Sequence, residues 1–342
     1  MTDKLRVLIC SYLEEELVAR VAAIPDVEVL NAPDLLPTPA FPCDHHGPAR
    51  VLNEEQGSRW RSLLQTAEVC FDFDWEDPAH LPARAPLVRW VQATSAGIGS
   101  FMERTDLVNW NVVVTTAAGV HAAPLAEWVI TGVLYFVKDL PDVLERQTAH
   151  LWQRMAMSAL SDRRALIIGV GNVGRAAASG LKALGVEVWG IGRLGANYDL
   201  PQFTGIGSAT DMHELLVRCD ILVLTCPLTA ETRGLIGAEE LAVLGPDGIL
   251  VNIARGAIVD EPALIDALQQ RSLRGAVLDV VADEPLSATS PLWDLDNVLL
   301  TPHSASTLAG ENALLVELFL DNLDRFQNER PLRNVYDSSR GY

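Results

Sequence analysis

The 342-residue chain has 45 acidic and 26 basic side chains, a net charge of −19, and 49% hydrophobic residues. This length favours two domains, and the hydrophobic fraction is sufficient for a core in each of them. The acidic balance argues against a nucleic-acid-binding protein, because such proteins need cationic side chains that contact phosphate groups.

Cysteine usage indicates a cytoplasmic protein without disulfides or metal. The five cysteines are scattered, odd in number and form no C-x-x-C pair, a usage that fits a reducing compartment. Asp44, His45 and His46 beside Cys43 form a candidate metal cluster, but they lie in a proline-rich loop without a spaced partner ligand. We therefore predict no metal site. The N-terminus lacks a secretory signal, and the most apolar stretch, 122–137, is too short and polar to predict a membrane span.

The first third of the chain alternates apolar strands with amphipathic helices. Helices are predicted over 13–23 and 59–66, and the predicted strands cover 5–10, 27–30, 69–73, 87–93 and 112–115. Alternation at this spacing is typical of a parallel, doubly wound sheet. The acidic stretch 72–77 after the third strand is predicted to be a solvated rim.

A second alternating series follows a long apolar helix predicted over 121–140. Six strands are predicted, over 165–169, 186–190, 221–224, 249–254, 276–280 and 298–300, with helices between them that include 173–184, 212–218 and 262–270. Six strands in this rhythm predict a complete dinucleotide-binding domain. A last helix over 311–327 has no strand left to extend this sheet, so we expect it to pack on the first domain.

A glycine motif opens the second series. Gly169, Gly171 and Gly174, with Asn172 and Val173, form G-x-G-x-x-G between a predicted strand and a predicted helix. In this context the glycines permit a tight turn, the approach of backbone to a pyrophosphate, and close helix–strand packing. The motif predicts a Rossmann dinucleotide site.

The end of the next strand bears on cofactor choice. An NAD site usually has an acidic residue there, but the sequence reads Val188 to Gly192 without one, and Arg193 follows. Glu187 lies too early in the strand. Since an arginine can pair with a 2′-phosphate, NADP is the preferred prediction and NAD stays possible. The alternative is that Arg193 is a solvated loop residue.

Reactive side chains follow three later strands. Arg255 comes directly after one predicted strand, Asp279 and Glu284 accompany the next, and His303 follows the last. Ligands of open α/β sheets bind at the carboxyl ends of strands, so we expect these side chains to converge on one crevice.

Seven stretches of the sequence resemble motifs of the D-2-hydroxyacid dehydrogenase family and occur in the same order. Members of this family include glyoxylate and hydroxypyruvate reductases. They cover residues 92–98, 122–128, 169–174, 226–237, 252–261, 278–285 and 291–305. The resemblance implies a substrate that is a small 2-oxo or 2-hydroxy acid, no membrane or nucleic-acid partner, and a homodimer joined through the region 121–160.

The resemblance also implies residue roles. Arg255 would bind the substrate carboxylate and polarise the 2-oxo group, His303 would be the acid–base, and Glu284 would orient His303 and favour its protonated form. Ser95, Ala96 and Gly97 would offer backbone N–H groups to the substrate carboxylate. Asp279 would hold the nicotinamide carboxamide. Further cofactor contacts would come from Cys226, Pro227, Thr232, Ile253 and Ala254, as well as from Arg255 and His303.

The predicted fold is α/β, with two doubly wound parallel-sheet domains. A Rossmann cofactor domain, 119–304, would be inserted into a flavodoxin-like substrate domain made of 1–118 and 305–342. The predicted activity is reduction of a 2-oxo acid such as glyoxylate or hydroxypyruvate. The alternatives are an NAD-linked hydroxy-acid or phosphonate dehydrogenase and, in a different class, a dinucleotide-sensing protein like the corepressors related to this family.

Overall fold

The computed structural model describes residues 4–41, 43–45 and 47–341 of the chain. The chain divides into two compact units. The first contains Met1–Val120 and Thr307–Tyr342, and the second contains His121–Ser306. Each unit is built around its own parallel sheet.

The first unit is a five-stranded parallel sheet with strand order β2-β1-β3-β4-β5. Its strands are β1 (Leu5–Ile9), β2 (Val27–Leu30), β3 (Val69–Phe71), β4 (Trp90–Gln92) and β5 (Val113–Thr115). Its helices are α1 (Glu15–Ala22), α2 (Glu54–Thr66), α3 (Leu81–Arg84), α4 (Gly99–Arg104) and α11 (Glu311–Gln327). The strand order is that of a flavodoxin-like doubly wound sheet.

Helix α11 joins this first sheet although it comes from the end of the chain. Its buried face, which includes Leu315 and Phe319, packs in one apolar cluster with Val7 and Trp90. The Phe319 ring stacks on the Trp90 ring with centroids 5.1 Å apart. Helix α11 thus packs on the first sheet, and the first unit is discontinuous in sequence.

The second unit is a seven-stranded parallel sheet with order β12-β11-β10-β9-β6-β7-β8. Its strands are β6 (Arg164–Ile168), β7 (Glu187–Ile191), β8 (Gly205–Gly207), β9 (Ile221–Leu224), β10 (Ile249–Asn252), β11 (Gly275–Leu278) and β12 (Val298–Leu300). Its helices are α5 (Ala122–Val137), α6 (Leu140–Thr148), α7 (Asn172–Ala183), α8 (Met212–Leu216), α9 (Ala238–Leu244) and α10 (Glu261–Gln269). The order reverses at β6, so a crevice opens at the carboxyl ends of β6 and β9.

Both faces of the second sheet are covered, which explains its nearly continuous apolar strands. Along β9, Leu222 and Leu224 belong to one apolar cluster and Ile221 and Val223 to another. Helix α5 lies on one face and packs closely on α7, where a Cβ on Gly180 would fall 2.4 Å from Ile130 Cδ1. None of the described helices combines the length and apolar character that a membrane crossing requires.

Two predictions from the sequence are wrong. The second sheet has seven strands and not six, because the short strand β8 (Gly205–Gly207) carries two glycines and lacks the pattern of a strand. The stretch 72–77 is not a solvated rim throughout, since Asp72 and Asp74 are buried. Asp74 is buried because Arg50 and Arg84 both lie 2.8 Å from its carboxylate oxygens.

Candidate functional site

The turn between β6 and α7 requires two of its three glycines. Gly169 has a φ of +104°, and a Cβ there would fall 2.7 Å from Cys226 N. A Cβ on Gly174 would fall 2.0 Å from Gly169 O. Thr225 closes the turn by donating its hydroxyl to Gly169 O at 2.6 Å. These contacts fix the turn against the end of β9.

Gly171 differs from the other two glycines because a Cβ there would meet no atom within 4 Å. It directly precedes α7, whose first residues are Asn172 and Val173 and whose first turn carries no acidic residue. The N–H groups and the positive end of a helix attract phosphate. The space in front of Gly171 is therefore suited to the pyrophosphate of a dinucleotide.

Arg193 lies two residues after the end of β7. Its side chain is exposed, and its backbone N–H donates to the hydroxyl of Tyr198 at 2.9 Å. Glu187 stands at the start of β7, where its carboxylate accepts from Trp189 Nε1 at 2.9 Å and lies 3.4 Å from Arg164. No acidic side chain of β7 therefore lies at the strand end where a ribose hydroxyl would be bound.

Glu284 and His303 form a hydrogen-bonded pair, with Glu284 Oε2 2.8 Å from His303 Nδ1. Partial burial works against ionisation of Glu284, but the hydrogen bond from His303 and the charges of His303 and Arg255 outweigh it. The net result is a lowered Glu284 pKa. Because an ionised carboxylate only accepts hydrogen bonds, Nδ1 carries a hydrogen and Nε2 is the ring nitrogen left for chemistry.

The backbone at His303 has a φ of +51°, a left-handed conformation that is uncommon for a residue other than glycine. Asp279 maintains it. Its buried Oδ1 accepts from Thr301 Oγ1 at 2.8 Å and from the N–H groups of Ser304 and Ala305, and its carbonyl accepts from His303 N. The end of β11 thus fixes the turn that carries the histidine.

Arg255 follows β10 in a turn that is also fixed by hydrogen bonds. Asn252 is buried, donates to Arg255 O at 3.0 Å and accepts from Ala254 N at 3.1 Å. Burial lowers the pKa of the Arg255 guanidinium, and the charge of Glu284 opposes this effect. A guanidinium stays charged even so, and a desolvated one binds a carboxylate strongly.

The arginine and glutamate turns contact each other at Gly256. A Cβ there would fall 1.9 Å from the carbonyl carbon of Val281, so only glycine permits this approach. The second sheet thereby brings together three predicted residues, Arg255, Glu284 and His303, on the turns after β10, β11 and β12. Sequence reasoning did not single out Asn252, Thr225 or Thr301, since their contribution is a hydrogen bond to backbone or to Asp279.

The remaining predicted cofactor residues also lie in the second unit. Cys226, Ile253 and Ala254 are buried just after β9 and β10, and Pro227 is exposed. Thr232 donates its hydroxyl to Pro227 O at 2.7 Å and accepts from Thr229 N, which holds this loop together. Ser95, Ala96 and Gly97 belong to the first unit, where they follow β4, and Ala96 and Gly97 are exposed.

In the loop that contains the candidate metal cluster, Asp44 and His45 form hydrogen bonds within the protein. His45 Nδ1 lies 3.0 Å from Ser11 Oγ, and Asp44 accepts from the N–H groups of Ala40 and Gly47. His46 lies outside the described residues. Within the described part of the chain, no three His, Cys, Asp or Glu residues are grouped so as to hold a metal ion.

The chain is similar in sequence to known proteins. The sequence pattern of the family described as "D-isomer specific 2-hydroxyacid dehydrogenase, NAD binding domain" matches residues 130–305. An (S)-sulfolactate dehydrogenase from Chromohalobacter salexigens is 33% identical over 247 residues, 72% of this chain and 79% of that protein. With some other relatives the match spans only 52% of their length.

Solved structures of the same family are similar over their whole length. A D-isomer specific 2-hydroxyacid dehydrogenase from Xanthobacter autotrophicus Py2, in complex with NADPH and MES, has a TM-score of 0.78 with 29% identity, covering 100% of both chains. An NADPH-dependent glyoxylate/hydroxypyruvate reductase from Sinorhizobium meliloti, in complex with NADP and sulfate, has a TM-score of 0.79 with 25% identity. That match covers 99% of this chain and 100% of the other.

The fold, the glycine turn and the matched sequence pattern lead to one assignment. The chain belongs to the D-isomer specific 2-hydroxyacid dehydrogenases, a family of oxidoreductases, and its second unit carries the family's NAD(P)-binding Rossmann domain.

Proposed function

We propose that this chain is a reductase of small 2-oxo acids of the glyoxylate and hydroxypyruvate type that prefers NADPH to NADH. The observation that carries the proposal is the Glu284–His303 hydrogen bond of 2.8 Å, next to the turn that holds Arg255. An imidazole oriented by a carboxylate is suited to moving one proton to or from a substrate oxygen. The guanidinium of Arg255 supplies a positive charge that can bind the carboxylate of a 2-oxo acid and polarise its 2-oxo group.

The proton transfer follows from the hydrogen positions in this pair. When bound, NADPH supplies the hydride that reduces the 2-oxo carbon. His303 keeps one hydrogen on Nδ1 for Glu284, so in its protonated form Nε2–H donates to the carbonyl oxygen, which becomes the 2-hydroxyl group. In the reverse direction the neutral Nε2 accepts the hydroxyl proton.

Arg255 is proposed to bind the substrate carboxylate and to polarise the 2-oxo group. Its partial burial strengthens both interactions, because screening by water is reduced. We also assign to Ser95, Ala96 and Gly97 the binding of the substrate carboxylate through backbone N–H groups. This assignment rests on the family resemblance and on the exposure of Ala96 and Gly97 at the end of a strand.

The dinucleotide is proposed to bind along the crevice of the second sheet, with its pyrophosphate at Gly171 and the start of α7. The turns after β9 and β10, which contain Cys226, Pro227, Thr232, Ile253 and Ala254, would line its nicotinamide side together with Asp279. Support comes from the open space at Gly171 and from the fixed turns on either side of it.

Preference for NADPH is supported by Arg193 and by the lack of an acidic side chain at the end of β7. The Sinorhizobium meliloti relative is described as NADPH-dependent. An acidic side chain at the end of β7 would repel the 2′-phosphate of NADPH, whereas a guanidinium can bind this phosphate through two hydrogen bonds.

Arg193→Ala tests this role. It should lower kcat/KM for NADPH by about 10- to 100-fold, the loss expected for a charge-assisted hydrogen bond, with little change for NADH. Arg271→Ala removes another exposed arginine of the second unit, one that pairs with Asp296, and serves as the matched control. Equal losses with both cofactors would refute the role of Arg193.

The experiment that tests the proposed function compares initial rates of NADPH and NADH oxidation with glyoxylate, hydroxypyruvate, pyruvate and phenylpyruvate. Faster turnover with NADPH supports the proposal, and the best substrate identifies the acid. Turnover with NADH alone would keep the reductase and reject the cofactor preference. Binding of either cofactor without turnover of any acid would favour a dinucleotide-sensing protein.

We further propose a cytoplasmic homodimer. The cytoplasmic location is supported by five cysteines that are all buried and free. The dimer is supported by exposed apolar side chains on and after α6, in the region 121–160, which are Leu140, Leu144, Leu151, Trp152 and Met157.

A further inference from the structure

We propose that Glu261 is a positioning residue for the acid–base pair, acting through the backbone of the turn that carries Glu284. The inference rests on the proposed function, because it assumes that Glu284 and His303 perform the proton transfer. Glu261 is the first residue of α10, and its Oε2 accepts from Ala282 N at 2.8 Å. Ala282 lies two residues before Glu284.

The turn from Val281 to Glu284 has few other restraints. Val281 N donates to Glu284 Oε1 at 3.3 Å, a weak hydrogen bond within the turn itself. The side chains of Glu284 and His303 are 39% and 46% exposed, so packing alone does not hold them in contact. A hydrogen bond from outside the turn therefore matters for the geometry of the pair.

Glu261 provides that external restraint from the arginine side of the site. It follows Arg255 by six residues, where the connection between β10 and α10 ends, and Gly256 in this connection contacts the Val281 backbone. Glu261 and Gly256 thus bind the same short segment, one through a hydrogen bond and the other through close contact. Together they keep the Arg255 turn and the Glu284 turn at a constant separation.

A simpler role for Glu261 would be the stabilisation of α10, because an acidic residue in the first turn interacts favourably with the helix dipole. The two roles depend on different properties of the side chain. Positioning requires an oxygen that reaches Ala282 N, whereas dipole stabilisation requires negative charge near the start of the helix. Two substitutions separate reach from charge.

Glu261→Gln keeps the length and an acceptor oxygen but removes the charge. Glu261→Asp keeps the charge but shortens the side chain by one methylene, so the oxygen no longer reaches Ala282 N. If Glu261 positions the pair, Glu261→Gln should retain kcat within about twofold and Glu261→Asp should lose about tenfold, as expected when a catalytic group shifts by a fraction of an ångström. If Glu261 only stabilises the helix dipole, Glu261→Gln should lower Tm and Glu261→Asp should keep the wild-type Tm.

Asp260→Ala is the matched control. Asp260 is the adjacent residue and caps α10 by accepting from Ala263 N at 3.2 Å, but it has no hydrogen bond to the turn of Glu284. Its removal should lower Tm more than Glu261→Asp does and leave kcat and the dinucleotide Kd unchanged.

The comparison of kcat with cofactor affinity provides a second readout that a purely structural role would not move. A looser turn displaces Glu284 and His303 but not the glycine turn at Gly171, so Glu261→Asp should lose kcat while its dinucleotide Kd stays within about twofold of wild type. Wild-type kcat in Glu261→Asp would overturn the inference while the proposed function stands. Full activity of His303→Ala would instead refute the proposed function itself.

Discussion

His303, the proposed acid–base, illustrates how neighbouring residues fix the geometry of a single side chain. Its left-handed backbone, with a φ of +51°, costs free energy that hydrogen bonds to Asp279 compensate. The ring is about half exposed, and its Nδ1 forms a hydrogen bond with Glu284. A pair this exposed contributes little to folding, which favours the proposed role in proton transfer over a role in stability.

The lowered pKa of Glu284 predicts a pH dependence of stability. A carboxyl whose pKa in the folded state lies below its ordinary value of 4.5 stabilises the protein above that value, and the contribution is lost as the pH falls through the lowered pKa. Glu284→Gln should therefore be less stable than wild type at pH 6, by no more than about 1 kcal/mol for a pair this exposed, and the difference should vanish in acid.

The measurement is the free energy of unfolding in urea between pH 3 and pH 6 for wild type and variant. Asp283→Asn removes the same charge from the preceding residue, which has no hydrogen bond to His303, and controls for the net charge of −19. A difference for Glu284→Gln that is independent of pH would contradict the linkage.

At the scale of elements, the strand–turn–helix unit from β6 to α7 separates the structural from the functional role of glycine. Gly169 and Gly174 are needed because backbone atoms of the protein occupy the space beside them. Gly171 has a φ of −75°, which any residue can adopt, and open space in front of it. Its glycine character therefore has no explanation within the protein and points to a ligand.

This contrast predicts different outcomes for two alanine variants. Gly174→Ala should destabilise the protein by about 1–3 kcal/mol, because its Cβ would overlap Gly169 O. The free energy of unfolding of Gly171→Ala should lie within about 0.5 kcal/mol of the wild-type value. Its affinity for the dinucleotide should nevertheless fall by about tenfold, because its Cβ occupies the space of the pyrophosphate.

Urea unfolding and fluorescence titration with NADPH measure the two effects separately. Unchanged NADPH affinity in a folded Gly171→Ala variant would show that the dinucleotide does not approach this glycine.

The elements that sequence patterns predicted are those whose signal is local. The final helix was predicted with its observed bounds, Glu311–Gln327, because apolar residues recur along it at helical spacing. Strands β9 and β12 also have their predicted bounds, since both are short apolar runs. The short helix α9 (Ala238–Leu244) and strand β8 were missed, since both are brief.

Features that depend on distant residues were not predictable in this way. The burial of Asp74 depends on Arg50, which is 24 residues away in a proline-rich loop. For the candidate site, strand ends indicated which reactive side chains matter, but not the hydrogen bonds that fix them. The restraint from Glu261 on Ala282 spans 21 residues and leaves no periodic signal.

At the scale of the whole molecule, the charge of −19 and the apolar surface after α6 act in opposite directions on self-association. Like charge keeps chains apart, whereas apolar side chains that stay in water favour a partner. Trp152 is fully exposed, and Leu144 and Leu151 are more than half exposed. A twofold contact on this surface would remove them from water and give a closed dimer.

Trp152→Asp tests this surface, because a charge at its most exposed position would make burial costly. Wild type should sediment at twice the mass of the chain at micromolar concentration, and the variant should sediment mainly as a monomer. Val217→Asp is the control, since Val217 is a 62% exposed apolar residue that follows α8 and lies outside the region 121–160. A dimer that persists in Trp152→Asp would place the interface on another surface, and a monomeric wild type would refute the dimer altogether.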